Sequence, residues 1–157
     1  MSHRAPCAYA ALVGIRAIRH AAISTPDLDR AITFWAQLGF SVTRQWEWPS
    51  GTAVVDELIG IPDSAARAAL LSGLGTELEL FEFTEPSQPT AADPRPVHHH
   101  GYTHLCFEVD AIDRDVTRLR AAGMSFTGDP IEDSAGQRMI YGRDPDGNMI
   151  ELIEPPK

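Results

Sequence analysis

Cysteine and positive charge are both scarce in this 157-residue sequence. There are two cysteines, Cys7 and Cys106, and no CxxC spacing, which excludes a disulfide scaffold and a thiol redox motif. Thirteen Lys and Arg stand against 22 Asp and Glu, a formal charge of −9. Binding to a polyanion rests on basic side chains neutralising phosphates, so nucleic acid is not the expected partner. Nowhere is there a run of the roughly 18 to 20 apolar residues that a membrane span needs. The apolar stretch from Ala5 to Ile15, with Ala8-Tyr9-Ala10 as a small-residue site, is signal-like in outline. It is too short ahead of that site, and Arg16 and Arg19 close it off. Residues 1–17 therefore read as an N-terminal extension of a cytoplasmic protein. Apolar residues make up 43% of the chain, enough for an ordinary core of one domain or two packed half-domains.

What the sequence does contain is a copy of itself. The segment from His20 to Arg30 lies over His104 to Arg114 without a gap, and Thr33 over Thr117 and Gly39 over Gly123 extend the match. A second block sets Gly75 to Glu82 over Gly147 to Glu154, pairing Glu79 with Glu151. The first copy carries about twelve more residues than the second, which fall between Gly51 and Ala66. Two copies are too few for a solenoid, so the chain reads as a duplicated half-domain.

Each copy has the same order of signals. Short apolar runs, His20 to Ser24 and His104 to Val109, have strand character. Thr25 followed by Pro26 reads as N-cap and first helical residue, and Leu28, Ala31, Ile32, Trp35 and Leu38 recur at helical spacing until Gly39 stops them. In the second copy Asp110 is the expected cap, Ile112, Val116, Leu119 and Ala122 the stripe, and Gly123 the stop. Strands are expected at Ser41 to Trp48, Arg67 to Ser72 and Glu77 to Phe83, then at Met124 to Thr127, Gln137 to Gly142 and Met149 to Ile153. Gly73-Leu74-Gly75 and Asp144-Pro145-Asp146-Gly147 are the turns. The expected fold is α+β: two tandem βαβββ modules, residues 18–85 and 102–157, joined by the Pro-rich linker 86–101 and forming a curved, mixed-sheet cup. Thr52 to Ile59 in the insertion is a candidate short helix.

Strand alternation sorts the side chains by face. Leu105, Phe107, Val109, Ile150 and Leu152 belong against a helix, as do Ala21, Ile23, Leu78 and Leu80. His20, Glu79, His104 and Glu151 fall on the opposite face, with Glu77, Phe81 and Cys106 beside them. Joining the half-sheets would bring two imidazoles and two carboxylates into one cup, an N/O set suited to a single divalent ion with open positions left over. Zn, Ni, Co, Mn and Fe all accept such ligands. Glu82 and Glu154 also repeat, but on the core parity near a strand end, where a solvated terminus is expected. Trp46 and Trp48 share a face that the pattern leaves undecided. His98, His99 and His100 read as a solvated or lid-like loop. Arg138 and Tyr141, with Arg143, are candidates to orient an anionic substrate, and Cys106 is a candidate substrate contact.

These motifs resemble those of the vicinal oxygen chelate superfamily, which includes glyoxalase I, methylmalonyl-CoA epimerase, extradiol dioxygenases and antibiotic-resistance proteins. The resemblance runs from Ile18-Arg19-His20 and Pro26-Asp27-Leu28-Asp29-Arg30 through Glu77-Leu78-Glu79-Leu80 and His104-Leu105-Cys106-Phe107 to Asp144-Pro145-Asp146-Gly147-Asn148-Met149-Ile150-Glu151. It implies metal ligands at His20, Glu79, His104 and Glu151. It also implies a lyase or isomerase chemistry in which one carboxylate, Glu151 first and Glu79 second, moves the proton α to a carbonyl. Family epimerases are expected to carry a further Glu on the third strand of the first module. Here that strand reads Arg67-Ala68-Ala69-Leu70-Leu71, and Glu79 fits the glyoxalase I pattern better. Ring-cleaving dioxygenase chemistry and metal-free binding against Trp46, Trp48 and Phe81 are the alternatives. A small-molecule substrate and a homodimer are the expected partners, and whether the modules pair within one chain or across two stays open.

Overall fold

A computed structural model describes residues 14–87 and 94–156. The signal-like stretch up to Val13, with Cys7, and the middle of the linker lie outside the described residues. The first module runs β1 (Ala21–Ser24), α1 (Leu28–Ala36), β2 (Ser41–Trp48), α2 (Ala53–Ile59), β3 (Ala65–Gly73) and β4 (Thr76–Glu85). The second runs β5 (His104–Glu108), α3 (Ile112–Ala121), β6 (Ser125–Phe126), β7 (Ile131–Glu132), β8 (Arg138–Arg143) and β9 (Met149–Glu154). Strand order is β1-β4-β3-β2 in one sheet and β5-β9-β8-β6 in the other, with the short β7 also on β8. In each sheet the first strand lies parallel to the last one of its module, and the remaining pairs are antiparallel. This is the βαβββ order expected from the repeat, with β7 as an unanticipated addition.

The helices start differently from the expectation. Asp27, not Thr25, caps α1, its carboxylate accepting from the Arg30 amide at 2.9 Å. Thr25 is buried; its hydroxyl accepts from the Asp27 amide at 3.2 Å, just ahead of the helix, and donates to Asp146 of the second module at 2.6 Å, a tertiary contact. Asp110 does not cap α3 either. Ala111 stands at the cap position without a side-chain bond, and the Ile112 amide donates instead to the Glu154 carboxylate at 3.0 Å. Glu154 is therefore no solvated terminus. It is 7% exposed, lies 3.5 Å from an Arg138 nitrogen, and serves the helix start where an anion is favourable. The stops are as expected: Gly39 and Gly123 have φ of +87° and +96°, a backbone conformation for which glycine is suited.

One core serves both modules. Leu28, Ala31, Phe34 and Trp35 from α1 and Ile112, Val116 and Leu119 from α3 pack with Leu71, Leu78, Leu80, Ile140, Ile150 and Leu152 of the two sheets. Phe107 of β5 meets both Trp35 and Phe40 of the first module at ring-centroid distances of 6.3 Å. Arg30 pairs with Asp146, and Arg118 donates to the Gln37 carbonyl, so polar ties run round the same seam. The helix-side faces of both sheets thus share one interior, and the His-bearing faces lie on the sides away from it.

Replacing Glu154 with Ala removes the acceptor at the start of α3 and the acidic neighbour of Arg138. The expected cost is about 1–3 kcal/mol of unfolding free energy, read by urea denaturation; an unchanged midpoint would contradict the capping role.

Candidate functional site

His20 directly precedes β1, and Glu79 lies in β4 opposite Ala22. His20 Nε2 approaches Glu79 Oε2 to 3.3 Å. In the second module His104 opens β5, Glu151 pairs with Cys106, and His104 Nε2 approaches Glu151 Oε2 to 3.1 Å. The two pairs are geometric copies of each other. Glu151 is more enclosed, with a side-chain exposure of 11% against 18% for Glu79. The other ring nitrogen of His104, Nδ1, lies 2.9 Å from the Thr103 hydroxyl, which fixes the ring and frees Nε2 for the site.

Within one chain the four do not meet. Among the described residues no group of three or more His, Cys, Asp or Glu is placed to hold a metal ion. The reason is the shared core: each pair stands on the face of its sheet turned away from that core. Each pair by itself suits a cation, since two neighbouring ligands at 2.0–2.2 Å on one ion lie roughly 3 Å apart, near the 3.1 and 3.3 Å observed. A hydrogen bond has the same span, so it is the donor chemistry, one imidazole and one carboxylate in each pair, that fits a divalent ion.

The substrate-binding candidates divide between the two faces. Trp46, Trp48 and Phe81 all lie on the His20 face. Trp46 pairs across the sheet with Ala68, Ala68 with Phe81, and Trp48 with Ala66. Trp48 packs edge-on to Phe81 and Phe83 at 6.0 and 5.9 Å, making an aromatic wall beside the first His–Glu pair. Phe83 was not among the expected residues, though it shares the parity of Phe81. Arg44 joins the same face, its guanidinium 5.0 Å from the Trp46 ring centre. Cys106 and Tyr141 lie beside Glu151, on the His104 face.

Arg138 does not belong to this site. It pairs in register with Glu154 and makes two 2.8 Å bonds to Asp113 at the start of α3, so it braces the helix side. Arg143 donates to the Gly147 and Arg95 carbonyls and holds the linker against the last turn. His98, His99 and His100 are exposed, and the Arg95 guanidinium holds their segment by donating to the His99 and His100 carbonyls. Glu77 pairs with Arg19 at 3.0 Å, and Glu82 with Arg67 at 3.1 Å.

Two groups beside Glu151 are held protonated at neutral pH. Desolvation, then the Glu151 carboxylate beside it, push the thiol of the exposed Cys106 up to about 11. Burial, then the hydrogen bond to Glu151, also raises the Tyr141 hydroxyl above its ordinary value.

The insertion is built onto the wall. Trp48 Nε1 donates to Ser64 Oγ at 3.0 Å, and Ser64 Oγ donates to Asp56 of α2 at 2.8 Å. The same carboxylate accepts from the Asp63 and Ser64 amides at 2.9 and 3.0 Å. Val55 of α2 packs on the aromatic cluster. The Ser64 hydroxyl bond, with the backbone bonds added, holds the Asp56 carboxyl below the usual carboxylate range.

Comparison with known proteins identifies the family. A family model described as the glyoxalase/bleomycin resistance protein/dioxygenase superfamily matches residues 17–152. The chain belongs to that superfamily. It is 35% identical over 156 residues to an Actinomyces 2-epi-5-epi-valiolone epimerase, covering 91% of this chain and 81% of the relative. It is 23% identical to a lactoylglutathione lyase of Schizosaccharomyces pombe, covering 87% of this chain and 46% of that longer protein. A glyoxalase family protein of Bacillus cereus superimposes with a TM-score of 0.82 at 23% identity, covering 93% and 99% of the two chains, and supports the fold. Isomerase and lyase names therefore both occur among this superfamily member's relatives. No helix among the described residues is long and apolar enough to cross a membrane.

Because the folded Asp56 carboxyl ionises below its unfolded value of 3.8, its charge stabilises the fold above that pH, and the benefit is lost as pH falls through the depressed value. The stability gap between the wild type and Asp56→Ala in urea should be constant from neutral pH down to about 3.8 and narrow below it. A gap that widens with acid would contradict this.

Proposed function

We propose that the protein is a metal-dependent isomerase or lyase of the glyoxalase type that moves a proton on the carbon next to a carbonyl. The observation that carries the reading is the pair of equivalent His–Glu contacts, 3.3 Å in one module and 3.1 Å in the other. His20, Glu79, His104 and Glu151 would hold one divalent ion. When bound, such an ion supplies Lewis-acid stabilisation of the negative charge that grows on a substrate oxygen. The protein's own part is to bind the substrate, exclude water and transfer the proton. A Glu carboxylate of the set takes the α proton and returns it, to the same carbon with inverted configuration or to its neighbour. Trp46, Trp48 and Phe81, with Phe83, offer an apolar wall for the carbon skeleton, and Arg44 a cation at its edge. The 35% relative favours epimerisation of a small ketone, because its printed name denotes an epimerase acting on an -one.

The complete ligand set would be shared between two copies, the His20–Glu79 pair of one facing the His104–Glu151 pair of the other. Both pairs stand on faces turned away from the core their modules share, and a two-fold dimer then carries two equivalent sites. Either exposed half-site alone offers one His and one Glu.

Two measurements follow. Metal-loaded protein should introduce solvent deuterium next to the carbonyl of small hydroxyketones, with Glu79→Gln and Glu151→Gln each slower by about 10²–10⁴-fold; failure across such ketones would defeat the proton-transfer reading. His20→Ala and His104→Ala chains should each be inactive as purified, yet regain activity when coexpressed, because a mixed dimer assembles one intact site. No recovery in demonstrated mixed dimers would overturn the shared site.

A further inference from the structure

The inserted segment and the aromatic residues of the first sheet occur together, and neither has a counterpart in the second module. Strand register sets Ala68 between Trp46 and Phe81, and Ala66 between Trp48 and Phe83. Alanine at both places lets rings from either side of β3 touch. Trp46 and Trp48 stand edge-on to Phe81 at 6.4 and 6.0 Å, and Trp48 edge-on to Phe83 at 5.9 Å. In the second module the pairing of Met139 with Ile153 takes the place of Ala68 with Phe81, and the insertion is missing. Trp48 is buried, and a buried indole N–H needs an acceptor. It has one in Ser64, fully buried itself, whose hydroxyl donates onward to Asp56. Helix α2 has no buried residue of its own. Val55 touches the cluster, and Asp56 ties the helix down by collecting the Ser64 hydroxyl and the Asp63 and Ser64 amides. At the other end of this chain of contacts is Phe81, two residues along β4 from Glu79 and on the same face, about 7 Å away along the strand.

We propose that the Asp56–Ser64–Trp48 chain determines specificity: Ser64 and Asp56 are positioning residues that set the Trp48 ring and, through it, the Phe81 ring, for substrates carrying an apolar group of ring size. This rests on the functional reading above, which puts the carbon skeleton of the substrate on the aromatic wall. A ring held by a hydrogen bond at one edge and by two aromatic contacts at its sides has one orientation. Without the Ser64 hydroxyl the indole N–H loses its acceptor in a buried setting, where an unpaired donor is costly, and the ring turns to find another. Phe81 then loses the edge that supports it. Neither Trp48 nor Phe81 carries a group that takes up a proton, so the chain acts on binding and leaves proton transfer alone. The insertion thus gives the first module a selecting surface that the second does not have.

The test compares deuterium exchange into two ketones by the metal-loaded full-length chain. Hydroxyacetone is too short to reach the wall from the reacting carbon, whereas the phenyl ring of 2-hydroxyacetophenone can reach it. Ser64→Ala should raise KM for 2-hydroxyacetophenone about tenfold or more, the scale of an apolar contact in a pocket. It should leave kcat for that ketone, and both constants for hydroxyacetone, unchanged. Asp56→Ala should act in the same way, and Asp56→Asn, which keeps an acceptor oxygen for Ser64, should restore the wild-type KM. In a Trp48→Phe background, which has no indole N–H, Ser64→Ala should add no further change. In protein labelled with ¹⁵N-tryptophan, Ser64→Ala should move one of the three indole signals and speed exchange of its proton, a readout independent of activity. The proposal is overturned if folded Ser64→Ala keeps the wild-type KM for 2-hydroxyacetophenone, or if it lowers kcat for both ketones alike. Should Ser64→Ala fail to fold, Asp56→Ala against Asp56→Asn decides by the same criteria. A wild-type chain that exchanges neither ketone would instead bring down the functional reading on which the proposal stands.

Discussion

The arrangement depends on one register, the parallel pairing of the first strand of each module with its last. It sets Ala22 against Glu79 and Cys106 against Glu151, and so brings a histidine at the strand start within reach of a glutamate on the neighbouring strand. Because side chains alternate across a sheet, a slip of one residue would send both glutamates into the core and the leucines into water. The burial of Leu78, Leu80, Ile150 and Leu152 under the helices makes that slip prohibitive. The hydrophobic core thus fixes the position of the polar site, although it shares no side chain with it.

The same core also decides which way the two His–Glu faces turn. By packing α1 and α3 into a common interior, the molecule directs both His–Glu faces outward. Its first half then gains an aromatic wall, braced through Trp48, Ser64 and Asp56 by the inserted helix α2. Its second half sets Cys106 and Tyr141 on either side of Glu151. Duplication supplied two equivalent His–Glu pairs, and divergence at four neighbouring positions, Ala22, Leu70, Cys106 and Tyr141, gave them different surroundings.

Much of this was legible in the sequence because the repeat doubles every signal. The βαβββ order, β2 from Ser41 to Trp48, both glycine stops and the faces of His20, Glu79, His104 and Glu151 all follow from periodicity. Where the reading departed from the structure, a tertiary contact had taken over a local signal. Thr25 looks like a helix cap but is drawn to Asp146. Glu154 looks like a strand end but is buried at the start of α3, and it takes Arg138 to the helix side with it. The face of Trp46 and Trp48 was undecidable because the register shifts between Val42 and Arg44 and interrupts the count from the core. The separation of the two pairs was invisible for another reason: strand alternation gives the face of a sheet, not the direction in which that face is turned once two modules have packed.

The central claim is that the two His–Glu pairs together form one cation site. The most direct test is the number of divalent ions retained per chain after metal loading and removal of excess, measured by elemental analysis alongside molecular mass in solution. The account requires one ion per chain in a dimer. Dimeric, folded protein that retains essentially none would contradict it.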